Sequence, residues 1–248
     1  MCRAEVVIDP RWRGRLRCIP GAMSGFDGAS VAALIASLVL LTMPITSHPD
    51  DIVPLPPPRQ ASAVSVEEAL AKRRSVREFA GAGLSLEDAA QLLWAAQGMT
   101  QATEGLRTAP SAGALYPLDV FLVAGAVATL PAGIYRYEPK RHRLVRIVAR
   151  DARHELASAA HLQRWIGDAA AIVVITGLYR RTGVKYGGRA ERYVHFEAGH
   201  AAENLCLQAV TLGLGTTVVG AFSDAEVKRL LNLSEEEPLL LIPIGRPR

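Results

Sequence analysis

Two uncharged runs, Val120-Phe121-Leu122-Val123-Ala124 and Ala171-Ile172-Val173-Val174-Ile175, constrain this chain more than any other feature. Five apolar residues without alternation leave no face for water, so each run reads as a buried strand. A third run, Leu239-Leu240-Leu241-Ile242-Pro243-Ile244, has the same character near the C-terminus. Helical patterns lie between them. Ser65 with Glu68 and Ser85 with Asp88 have the spacing of caps, each opening an amphipathic helix, and the second runs from Leu86 to Gln97 before Gly98 stops it. Tyr193 to Leu212 is a long helical pattern ended by Gly213, and its Ala198, Ala201, Ala202 and Ala209 let another backbone come close. Ser223 caps one more helix, with Asn232 at its end. Ile134-Tyr135-Arg136-Tyr137 alternates as a half-exposed strand would, and Leu144 to Val148 is its hairpin partner across a turn at Pro139. This order predicts an α+β sandwich with a mixed or antiparallel sheet.

The chain of 248 residues fits one domain with an extension better than two domains. The extension has three parts. Residues 1–27 form a basic head containing Arg11, Arg13, Arg15 and Arg17, and residues 28–47 contain no charge and are strongly apolar from Val31 to Leu41. Three readings of this layout stand: a cleaved export signal, an uncleaved membrane anchor, or a reading frame extended upstream of a start at Met23 or later. The first two place the protein in the periplasm or on a membrane, and the third leaves it cytoplasmic. Residues 48–60, with Pro54-Leu55-Pro56-Pro57-Pro58, favour polyproline conformation and read as a semi-rigid linker. The folded module is therefore expected at 61–248.

Composition excludes several function classes. The net charge of +4 resides largely in the head, and no basic stripe with interleaved aromatics follows it, so nucleic acid is not an expected partner. Cys2, Cys18 and Cys206 lack metal-ligand spacing, and Cys206 reads as a small core residue. His200 lies three residues from both Glu197 and Glu203 on the long helix, but further ligands are missing, so no metal site is expected.

Chemistry concentrates in five segments. Lys72-Arg73-Arg74-Ser75-Val76-Arg77 has the guanidinium density that holds a phosphate, although such runs are more often solvated helix faces. Thr108 to Pro117 is a loop of small residues whose open backbone N–H groups suit a flat ligand, or an ordinary connection into the strand at Val120. Arg180 to Arg189 reads as a mobile surface loop in which Lys185 and Tyr186 are candidate proton donors or substrate anchors. Gly213-Leu214-Gly215-Thr216 is a helix stop and a tight turn into a strand, without the spacing of a dinucleotide fingerprint. Gly245-Arg246 ends the last strand with a cation.

In this order the segments resemble the flavin-dependent nitroreductase family, and most closely its SagB-type branch, the oxidoreductases found with peptide-azoline biosynthesis. The residues that carry the likeness are Arg73 to Arg77, Leu84 to Gly98, Arg107 to Pro117, Gly133 to Tyr137, Lys185-Tyr186-Gly187, Glu197 to His200, Gly213 to Gly215 and Ile244-Gly245. The resemblance implies a three-layer sandwich in an intertwined homodimer with FMN at the subunit interface. It implies that Arg73, Arg74, Ser75 and Arg77 hold the phosphate, ribityl chain and pyrimidine edge. Pro110, Ser111, Ala112 and Gly113 would line the isoalloxazine ring from the other subunit, Gly215 and Thr216 would face it, and Gly245 with Arg246 would close the phosphate site. Lys185-Tyr186 falls where the azoline-oxidising branch has a catalytic Lys-Tyr pair. Ala114 and Tyr116 replace the Asn and Gln that many nitroreductases carry in the loop. The expected activity is hydride transfer through flavin N5 on an azoline-like or other small substrate. The alternatives are an NAD(P)H-dependent nitro or quinone reductase and a flavin-holding subunit without turnover.

Overall fold

A computed structural model describes residues 51–248. The basic head and the apolar segment at 28–47 lie outside the described residues, among which no helix is long and apolar enough to cross a membrane. The elements are, in chain order, β1 (Ile52–Pro54), α1 (Val66–Lys72), α2 (Leu86–Gln97), β2 (Met99–Gln101), β3 (Leu106–Arg107), β4 (Leu118–Ala124), β5 (Gly133–Glu138), β6 (Arg143–Val148), α3 (Arg153–Ala159), β7 (Ala171–Gly177), α4 (Tyr179–Tyr186), α5 (Ala190–Thr211), β8 (Gly215–Thr216), α6 (Asp224–Leu231) and β9 (Glu237–Gly245).

Seven strands form one sheet in the order β1-β6-β5-β4-β7-β9-β8. Neighbouring strands run antiparallel, with Leu122 opposite Val173 and Val173 opposite Ile242 at the centre. The apolar runs occupy β4, β7 and β9, and their residues divide by the two-residue period of a strand. Leu118, Val120, Leu122, Val173, Ile175 and Ile242 pack with α2 and α5 on one face. Phe121, Val123, Ile172, Val174 and Leu241 pack with α3 and α6 on the other. Helices cover both faces, as the uncharged runs require, and the result is the α+β three-layer sandwich. Ser65, Ser85 and Ser223 cap their helices as their spacing predicts, and Cys206 is a buried core residue.

Three expectations change. The linker expected at 48–60 does not simply precede the fold, because Ile52–Pro54 within it is a strand. Ile52 pairs with Val145 and Pro54 with Arg143. The Leu55 amide donates to the His142 carbonyl at 3.1 Å, and the His142 ring holds the Pro56 carbonyl at 2.8 Å. The β-branched pair Ile52-Val53 finds the open edge of β6, and only the prolines beyond it stay outside the sheet. The mobile loop expected at 180–189 is largely helix α4. A two-bond fork from Arg181 to Asp119, at 3.3 and 2.9 Å, fixes that helix to β4, and Thr182 on it is buried. The strand at 133–138 is more buried than its alternation suggests, since the Tyr135 hydroxyl finds the Pro131 carbonyl and the Tyr137 hydroxyl finds His142.

A chain beginning at Ala61 loses these pairings and the burial of Leu55. It should unfold at lower urea than one beginning at Ser47, by about 1–3 kcal/mol in extrapolated stability. Equal midpoints would place residues 51–56 outside the cooperative unit.

Candidate active site

Helix α1 opens on the Ser65 hydroxyl, which accepts the Glu68 amide at 3.1 Å. It ends at Lys72, whose ammonium is committed to Glu68 one turn back. Arg73 leaves the helix with extended backbone and faces the Glu203 carboxylate of α5 at 3.6 Å. Arg74, Ser75 and Arg77 are exposed.

The chain then runs past β8 and the end of β9. The Val76 amide donates to the Thr216 carbonyl and the Ala80 amide to the Arg246 carbonyl, both at 2.9 Å. This brings the cationic segment beside Gly215, Thr216, Gly245 and Arg246, residues far away in sequence. Both glycines are there for space. A Cβ on Gly215 would stand 2.7 Å from the Val76 side chain, and one on Gly245 would stand 2.7 Å from the Phe79 ring. Next to Thr216 the buried Thr217 hydroxyl has no hydrogen-bond partner among the described residues. Exposed guanidinium groups, a serine hydroxyl and an orphaned buried hydroxyl beside a glycine-lined strand end suit a phosphate-bearing polar ligand.

The small-residue loop forms a second group with Lys185 and Tyr186. Gly113 is exposed with φ +63, and a Cβ there would lie 2.9 Å from the Tyr186 hydroxyl and 3.0 Å from the Lys185 ammonium. Only a residue without a side chain leaves those two polar ends access to this stretch of backbone. Ala114 (φ 54) and Tyr116 (φ 47) also sit in the left-handed region, at a cost of about 1 kcal/mol or more each. Three contacts hold Tyr116 there. The Ser111 hydroxyl accepts the Tyr116 amide at 2.9 Å. The Arg107 guanidinium lies 4.5 Å above the Tyr116 ring. Arg181 donates to the Tyr116 carbonyl at 3.3 Å. Tyr186 is steadied in turn by an edge contact with Tyr193, ring centroids 5.0 Å apart.

Beneath the loop lies a buried polar layer. Arg107 donates to the Gln97 side-chain oxygen at 2.8 Å, and the Gln97 amide reaches the Glu197 carboxyl at 3.5 Å. The Ser111 hydroxyl stands near the same carboxyl and favours its charged form. Gln97 and Glu197 are almost fully buried. Burial pushes the Glu197 carboxyl up to about 7, against the opposing pull of Ser111, Arg107 and Gln97. Burial also lowers Arg107. In sequence Arg107 and Glu197 are visible only as members of motifs. Their signal is a cation and an anion beside apolar stretches that have no evident need of either. His200, by contrast, is exposed while Glu197 is buried, and the two share no site. Among the described residues no cluster of metal-ligating side chains occurs.

Helix α5 relates the two groups. Glu197 lies under the loop and Glu203 against Arg73, six residues or about 9 Å apart along the axis.

The sequence signature of the Nitroreductase family matches residues 70–246. A protein of Methanocaldococcus jannaschii named as a nitroreductase is 45% identical over 183 residues, covering 74% of this chain and 91% of that one. A crystal structure from Ralstonia eutropha, also titled a nitroreductase, superposes with a TM-score of 0.71 at 31% identity, covering 80% of this chain and 90% of that one. The trifolitoxin-processing protein TfxB of Rhizobium leguminosarum bv. trifolii is 29% identical over 136 residues, 52% of this chain and 36% of its own length. The chain belongs to the nitroreductase family. It is an oxidoreductase of that flavin-dependent class.

Glu197 makes stability depend on pH. Its folded pKa of about 7 exceeds the unfolded value of 4.5, so between these values the native state keeps a proton that the unfolded chain has lost. Stability therefore falls as pH rises through this window, by about 3 kcal/mol in all. Glu197→Gln, which does not titrate, should flatten that part of the urea-stability profile. A wild-type profile already flat from pH 5 to 7 would contradict the assignment.

Proposed function

We propose that this chain is an FMN-dependent oxidoreductase of the SagB type, acting as a homodimer on an azoline-like or other small organic substrate. The observation that carries the reading is the convergence of Lys185 and Tyr186 on Gly113. A proton-moving pair stands against the loop expected to line the isoalloxazine ring. The relation to TfxB, named for trifolitoxin processing, supports a substrate of peptide origin.

FMN, when bound, supplies hydride transfer at its N5. The residues of this chain do the rest. Arg73, Arg74, Ser75 and Arg77 bind the phosphate and the polar chain through charge-assisted hydrogen bonds. Arg246, held beside them through its own backbone, adds a further cation. The Thr216 backbone and the free Thr217 hydroxyl offer polar contacts next to Gly215. Pro110, Ser111, Ala112 and Gly113 present backbone with little side chain, which lets a planar group approach and keeps water away from it. Tyr186 as its phenolate, or Lys185 as its free amine, would take the substrate proton during oxidation. Exposed Val66, Leu70 and Phe196, on α1 and α5, give a partner subunit apolar surface near both groups.

A second reading, an NAD(P)H-dependent nitro or quinone reductase, is favoured by the 45% identity to the M. jannaschii protein named as a nitroreductase. The two separate on one measurement. The purified protein should be yellow and should oxidise a thiazoline or oxazoline peptide to the azole. Rapid NAD(P)H consumption with nitroarenes and no azoline turnover would select the second reading, and a chain that takes up no FMN would remove both.

Arg73→Ala combined with Arg77→Ala should strip FMN from the protein during gel filtration. Undiminished flavin content would take these residues out of the site. Tyr186→Phe should retain flavin and lower kcat for azoline oxidation by about 100-fold, the usual scale for a positioned proton-transfer group.

A further inference from the structure

The buried polar layer beneath the loop has no place in the reading so far. Gln97, Arg107 and Glu197 come from α2, β3 and α5, three elements that meet behind residues 110–116. A half-buried guanidinium and a buried carboxyl are expensive to retain, since each loses hydration. Here they are not in direct contact. Gln97 stands between them, accepting from Arg107 at 2.8 Å and donating to Glu197 at 3.5 Å. Both charged ends then turn toward the same loop. Glu197 meets the Ser111 hydroxyl, whose oxygen in turn accepts the Tyr116 amide at 2.9 Å. Arg107 lies 4.5 Å above the Tyr116 ring. Tyr116 and Ala114 are the loop's two non-glycine residues with left-handed backbone. A strained segment of this kind persists only when its surroundings over-determine it. The fold alone gains nothing evident from a left-handed tyrosine. The conformation does set Gly113 within contact of Lys185 and Tyr186.

We propose that Glu197 and Arg107, joined through Gln97, are positioning residues that lock the loop Ser111–Tyr116 so that Gly113 lies against Lys185 and Tyr186. The relay runs from carboxyl to Ser111 hydroxyl to Tyr116 amide on one side and from guanidinium to Tyr116 ring on the other. The inference rests on the flavin-oxidoreductase reading for its purpose, but the lock itself exists in the chain without flavin. Arg107 and Glu197 act through the loop.

The test is hydrogen–deuterium exchange by mass spectrometry on the full chain, following the peptide that carries residues 111–117, with a peptide from β7 as internal reference. Glu197→Ala and Ser111→Ala should each raise exchange at the Tyr116 amide by about tenfold, the scale of one lost hydrogen bond, and leave β7 unchanged. Glu197→Gln keeps an acceptor for Ser111 and should stay near wild type. In flavin-loaded protein, Glu197→Ala should keep its FMN and its KM while kcat falls. Unchanged loop exchange in both alanine variants would overturn the proposal, and so would a Glu197→Gln variant as loose as Glu197→Ala. Should Glu197→Ala fail to fold, Ser111→Ala decides alone, because Ser111 is half-exposed in a loop and supports no core packing. Should the chain bind no flavin, the functional reading falls while the exchange measurement on the apoprotein still judges the lock.

Discussion

Close packing of α5 on the sheet is the constraint from which the rest of this molecule is measured. The helix can lie against β4, β7 and β9 only because Ala198, Ala201, Ala202 and Ala209 keep its inner face thin, and Val194 and Leu205 fill the space at either side. Once it is seated, its polar positions have fixed addresses. Glu197 falls under the loop between β3 and β4, Asn204 donates to the Thr108 carbonyl at 3.2 Å, and Glu203 faces Arg73. Buried Cys206 meets the Thr216 hydroxyl at 3.4 Å and ties the same helix to β8. Two segments more than thirty residues apart in the chain are thus placed by one rigid body.

The two groups of candidate residues differ in how they are held. The cationic segment is positioned by backbone hydrogen bonds to strand ends, and its side chains make only surface contacts, Arg73 with Glu203 and Arg77 with the Trp165 ring. Such groups have strong pull on an anion but little shape of their own. The loop and its Lys-Tyr pair are positioned by side chains, down to a buried charged layer. A site that must bind a phosphate and also orient a reaction needs both kinds of support.

The sheet and its covering helices were legible because the cues are local. Uncharged runs mark strands buried on both faces, and Ser65, Ser85 and Ser223 announce helix starts through spacing alone. The residues around Gly215 and Gly245 were legible as turns and strand ends. Their adjacency to Arg73–Arg77 was legible only through the family resemblance and not from local pattern, because it arises from Val76 and Ala80 pairing with partners more than a hundred residues away. Helix α4 reads as a loop in sequence because Gly183 within it and Gly187 and Gly188 just beyond it are weak helix formers in isolation. Arg181 holds it through contacts that no local pattern displays. The roles of Arg107 and Glu197 were hidden for a different reason. A buried charge in a sequence looks like a surface charge until its partners, from three separate elements, are brought beside it.

The short strand β1 closes one side of the sheet with Ile52, Val53 and Pro54, and three more prolines follow at 56–58. Proline has no amide hydrogen, and its ring fixes the backbone against a continued ladder. The outermost edge therefore offers a neighbouring molecule a very short template, cut off by residues that cannot donate. Without that strand, β6 would present its own unpaired backbone along a face of the molecule. A stretch that reads as mere spacer thus guards the protein against strand-to-strand self-association.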